Sequence, residues 1–140
     1  MDKFLIHQFL LIPFMGGLLA ITSPSRAYAN EKKVIITEPE NNSTVTNPFK
    51  VCMEALGLIV EPSDGDPYEG RGHHHILFSS LPKDLTRPLR RKEAIHLSKG
   101  EHCVSLNMEP GKHVIIALFS YGDHVPYKPA ISDRILVTVN

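Results

Sequence analysis

Tryptophan is absent, cysteine occurs twice, and neither sign of charge is in excess, with 15 basic and 15 acidic side chains in 140 residues. Each shortage excludes something. Balanced charge argues against a nucleic-acid binder or a polybasic membrane-surface protein, which need a surplus of Lys and Arg. Two cysteines cannot staple a disulfide-dense scaffold, so the chain must build its own core. No uninterrupted apolar run reaches the ~20 residues that span a bilayer. There is no Gly-x-Ser-x-Gly, and Ser79, Ser80 and Ser105 have no arranged partners, so no catalytic constellation is recognisable and no enzyme is expected. What remains is 42% apolar residues, eleven prolines, nine glycines and eight histidines. This is the composition of a globular, turn-rich domain.

Residues 1–29 read as a secretory signal peptide. Lys3 lies in the leading segment, an apolar stretch follows from about Phe9 to Ile21, broken by Pro13, Gly16 and Gly17, and Ala27-Tyr28-Ala29 gives the small-x-small cleavage pattern. The competing reading, an N-terminal anchor, is weakened by that short run and by the cleavage site. Cleavage after Ala29 leaves residues 30–140 as a single domain, periplasmic or secreted from a bacterium, with no membrane span.

That domain shows no sustained helical periodicity. Short β-branched runs recur between turn residues. The expected strands are Lys33–Thr37, Pro48–Leu56, His74–Ser79, His102–Asn107, Lys112–Tyr121 and Arg134–Val139, with a weaker one at Ala94–Leu97. About seven short strands predict an all-β fold, an antiparallel immunoglobulin-like sandwich, with a small barrel as runner-up. Two long loops remain, Gly57–Gly72 and Leu81–Glu93. The second carries Arg87, Arg90, Arg91 and Lys92, which read as a solvated basic loop.

Alternation puts Cys52 and Cys103 on the polar phase of their strands. In a sandwich of this type the second and fifth strands are neighbours, so the two cysteines are expected to face each other as a disulfide on the outer surface. The alternative is a Cu(I) thiolate site aided by Met53 or Met108. No Cys-x-x-Cys or Met-x-x-Met spacing supports it.

The histidines form the one constellation suited to chemistry. In Gly72-His73-His74-His75, a strand's period of two sends His73 and His75 to one face and His74 to the other. Two imidazoles projecting together are a sound pair of ligands for a borderline metal, but zinc or copper needs a third. The third and sixth strands of such a sandwich pair antiparallel, which brings the Gly122-Asp123-His124 turn beside the start of the His75 strand. His73, His75 and His124 are therefore the expected ligands for Cu or Zn, with Asp123 as an oxygen ligand or an orienting partner. Because only neutral imidazoles bind, the metal is expected to weaken as pH falls through about 6.5. The blander alternative has these histidines bonded to loop carbonyls. His113 sits roughly eight residues of ~3.3 Å each from that pole, where sandwiches often place a corner residue bonded to upstream backbone, and it is assigned to the fold. His96 and His102 have no spacing that singles them out.

Gly72-His73-His74-His75, Pro110-Gly111-Lys112-His113, Gly122-Asp123-His124 and the closing Ile135–Val139 together resemble a family of small exported bacterial domains of unknown function. The likeness runs from about Val34 to Val139. Members typically read Asp-Gly-x-His in the third motif, whereas here Tyr121 precedes the glycine and the acid stands at Asp123. The resemblance implies secretion and an all-β fold, and it supplies no activity. The sequence thus supports a metal-holding exported domain. Its rival is a metal-free structural or interaction module whose partner is a cell-envelope polymer or another protein.

Overall fold

The computed structural model describes residues 31–140. The proposed signal peptide and its cleavage site lie outside the described residues. Nine strands form among the described residues: β1 (Lys33–Glu38), β2 (Ser43–Val45), β3 (Phe49–Leu56), β4 (Ile59–Val60), β5 (Arg71–Phe78), β6 (Ile95–His96), β7 (Cys103–Leu106), β8 (Gly111–Ser120) and β9 (Pro126–Val139). There is no helix among the described residues, and so none long and apolar enough to cross a membrane. One sheet has the order β1-β3-β7. The other runs β2-β9-β8-β5-β4, with β6 also paired to β5.

The two sheets face each other as a sandwich because their strands alternate. In β3, Phe49, Val51 and Met53 are buried while Lys50 and Glu54 are exposed. They meet Ile76, Ile115, Ala117 and Phe119 of the large sheet in one continuous core. β5 departs from alternation, and Gly72 to Leu77 are all buried. Its inner face joins the main core through Ile76. Its outer face, with Leu77, Ile116 and Leu118, is roofed by Leu89 and Ala94 of the segment between β5 and β6, forming a second small core. A strand covered on both sides reads as a run of buried residues rather than an alternation.

Where nine strands replace the expected seven, the additions are short. β2 and β4 have three and two residues, and each pairs parallel with a longer strand, β9 and β5 respectively. Too short to show a period, they borrow their conformation from a neighbour. β9 starts at Pro126 rather than Arg134, because Pro126 and Pro129 hide its first half from any strand pattern. β3 and β7 are neighbours in the expected way, and Cys52 pairs in register with Cys103. The two form a disulfide on the outer surface of the small sheet. No free cysteine remains among the described residues, so the thiolate alternative is closed. Met53 lies in the core instead. A disulfide fits a periplasmic or extracellular protein.

Candidate metal centre

β5 and β8 pair antiparallel, with His73 opposite Ser120 and His75 opposite Leu118. β8 ends at Ser120, so the turn to β9 lies over the start of β5. Two glycines allow this approach. Gly72 takes φ +151°, and a Cβ there would overlap the Ser120 carbonyl. A Cβ at Gly122 would overlap the Asp64 side chain and the Asp66 carbonyl. His124 itself sits at φ +68°, a left-handed conformation that a non-glycine residue keeps only when its surroundings impose it. Three backbone bonds do so: His124 N–H to the Tyr121 carbonyl (3.0 Å), Tyr121 N–H to the Val125 carbonyl (3.0 Å) and Leu89 N–H to the His124 carbonyl (3.0 Å).

The imidazoles of His73, His75 and His124 converge, each offering one nitrogen within 4.8 Å of the other two. His124 Nδ1 is the hub, 2.9 Å from His73 Nε2 and 3.3 Å from His75 Nε2. A fourth ring joins it: His96 Nδ1 lies 3.2 Å from the same atom. Hydrogen bonds cannot account for all three contacts. A neutral imidazole nitrogen carries either one proton or one lone pair, so His124 Nδ1 serves one strong bond. Two nitrogens each ~2.0–2.1 Å from a tetrahedral zinc ion would stand about 3.3 Å apart, close to the separations found. The donor set therefore fits a borderline metal.

The environment keeps these rings neutral. His73 and His75 are fully buried. Burial first, then the neighbouring His124 and His96, lowers the His73 pKa to about 4. Burial, followed by His73, His96 and His124, takes His75 to about 2. His124 is lowered as well, chiefly by burial. The distal nitrogens, Nδ1 of His73 and His75 and Nε2 of His96, are buried without hydrogen-bond partners among the described residues. Among the described residues no carboxylate steers these rings in the usual way. Edge-on packing orients them instead, with His75 and His96 centroids 4.5 Å apart and His73 and His124 centroids 4.7 Å apart.

Asp123 is not among the converging atoms. Its Oδ1 accepts the Val125 N–H at 3.0 Å, so the acid shapes the turn that presents His124. His113 lies apart, donating from Nε2 to the Glu109 carbonyl at 2.7 Å. His74 points into the sandwich, fully buried, with neither ring nitrogen partnered among the described residues and its ring edge-on to Phe119. His96 escaped sequence reasoning because it stands opposite His75 through a two-residue strand. The expected short strand at Ala94–Leu97 was the available signal, but its register could not be read across the intervening loop.

A cleft of about 620 Å³ opens beside the histidines, with His96, His124, Arg91, Leu89 and Ser63 among its lining residues.

No curated protein matches the chain. Among solved structures, the endo-β-1,4-mannanase of Thermotoga petrophila is similar at 12% identity and a TM-score of 0.48, over 83% of this chain and 21% of the mannanase chain. The model of a domain of unknown function, DUF4399, matches residues 51–140, a span that includes β5, β6 and the β8–β9 turn with all four clustered histidines. The chain belongs to the DUF4399 family.

Proposed function

We propose that this domain is exported and holds one transition-metal ion, copper or zinc, through His73, His75 and His124, with His96 beside them. One observation carries the reading: three imidazole nitrogens surround His124 Nδ1 at 2.9, 3.3 and 3.2 Å, more contacts than its single proton or lone pair can satisfy. The depressed pKa values of His73 and His75 support it, since the rings are neutral and ready to bind at any ordinary pH. Export agrees with the disulfide. The role is binding rather than turnover.

Metal analysis of protein purified without an affinity tag and loaded with Zn²⁺ or Cu²⁺ tests it. One ion per chain is expected, falling to background in His124→Asn. A substoichiometric, variant-independent metal content would discard the site and leave the metal-free interaction module.

A further inference from the structure

Three imidazoles neutralise none of the charge of the ion they bind. Resting on the metal reading above, we infer that the cleft beside the histidines receives a small organic carboxylate, which ligates the metal and pairs with Arg91.

The geometry restricts where a further ligand can enter. His73 and His75 rise from the floor of the large sheet and are fully buried. His124 and His96 instead form part of the wall of the cleft of about 620 Å³, a volume typical of small-molecule sites. His96 is not part of the mutually close set, so three ligands leave a coordination position for an exchangeable group.

The charges then select the ligand. Arg91 lines the same cleft as His124 and His96. Two nearby arginines are engaged elsewhere, since Arg87 and Arg90 both donate to Glu93, at 2.8 and 2.9 Å. Arg91 has no acidic partner or side-chain hydrogen bond among the described residues. The nearby acids Asp64, Glu101 and Asp123 each accept a local backbone N–H, from Asp66 (3.0 Å), Lys99 (2.8 Å) and Val125 (3.0 Å). They supply no ligand atom to the cluster. A guanidinium beside a metal cation is repulsive unless an anion lies between them. A carboxylate answers both, as an oxygen donor to zinc or copper and a two-pronged acceptor for arginine. Leu89, Ala94 and Ile95 in the same lining give its hydrocarbon part an apolar wall, which inorganic oxyanions cannot use.

The test uses Cu²⁺-loaded protein whose metal content has first been measured. Butyrate is titrated while the copper visible and electron-paramagnetic spectra are followed, with inorganic phosphate as the comparison. The expected result is a saturable spectral change with butyrate. Its affinity should fall about tenfold or more in Arg91→Ala and recover in part in Arg91→Lys, with phosphate at least tenfold weaker throughout. Stoichiometric copper with spectra indifferent to butyrate, or equal affinity in Arg91→Ala, overturns the carboxylate site and leaves the metal reading standing. Phosphate binding as well as butyrate overturns the organic selectivity. Absence of bound copper removes both readings together. Arg91 is exposed, so an unchanged melting curve will confirm that the variants fold.

Discussion

Lowering the pH of the metal-free protein from 7 to 4.5 should remove a large share of its stability, through three buried histidines. His73, His74 and His75 are all fully buried. Their folded-state pKa values are lowered from 6.5 to about 4, about 4 and about 2, with burial as the largest cause in each. In the unfolded chain they titrate near 6.5. Above that pH both states hold them neutral and nothing is lost. Below it the unfolded state binds protons that the folded state refuses, so stability falls as pH falls. The loss is complete for His73 and His74 near pH 4 and continues lower for His75. Each group contributes at most about 1.4 kcal/mol per pH unit. Over the two units from 6.5 to 4.5 that gives a ceiling of ~8 kcal/mol, and relaxation with water entry reduces the expected loss to about 4 kcal/mol. Against a typical domain stability of ~5–15 kcal/mol this is a large share. Urea titrations in chelator, followed by circular dichroism at pH 7, 6, 5 and 4.5, read it directly. The carboxylate of Glu93, held low by Arg87 and Arg90, loses its pairing only in more acidic solution and does not confuse this window. His74→Leu separates the effect from general acid sensitivity. It should remove about a third of the slope and raise stability at pH 7 by ~1–2 kcal/mol, because both ring nitrogens are buried without partners among the described residues. A stability flat from pH 6.5 to 4.5, or a slope unchanged in His74→Leu, would refute the argument.

Periodicity and pairing made most of the site readable. The period of two in β5 separates His73 and His75 from His74, and the antiparallel pairing of β5 with β8 carries His124 to them. The same logic across β3 and β7 pairs Cys52 with Cys103. His96 was not readable, because a two-residue strand reached through the long β5–β6 segment has a register set by what it packs on. In this case that is Leu89 and Ala94 closing over Leu77 and Leu118. From its position beside His124, Asp123 is expected as an oxygen ligand or an orienting partner. In a tight turn, however, a short carboxylate finds the amide two residues ahead first. The buried state of His74 could not be inferred from alternation either, since alternation assigns a face and not what covers it.

Other consequences follow from the same geometry. Zn²⁺ affinity of the folded protein should begin to decline at a lower pH than the 6.5 of a free imidazole, because burial lowers the pKa of His73, His75 and His124. Calorimetric titrations from pH 7.5 to about 5 decide it. His113→Ala should cost about 1–2 kcal/mol in the metal-free protein by losing its bond to the Glu109 carbonyl, with metal content unchanged. Loss of metal at unchanged stability would reverse its role. Replacing Cys52 and Cys103 together by serine opens a loop whose ends are 51 residues apart in sequence, and by chain entropy this should cost ~4 kcal/mol, read from urea midpoints.

The sharpest separation of ligand from scaffold comes at His124. Alanine there would remove the imidazole and also strain a left-handed residue, so loss of metal could reflect a broken turn. Asparagine tolerates that conformation with little penalty. It leaves untouched the backbone bonds that fix the turn, to Tyr121 and from Leu89. His124→Asn should therefore melt within a few degrees of the parent in chelator, since the hub nitrogen is surrounded by rings it cannot satisfy through hydrogen bonds. Its metal affinity should fall at least a hundredfold, and the metal-dependent rise in melting temperature should vanish. At 100 times the dissociation constant of the parent that rise corresponds to about 2.7 kcal/mol. If His124→Asn keeps the full metal-dependent stabilisation, the ion binds elsewhere, and the convergence on His124 Nδ1 is packing rather than a ligand set.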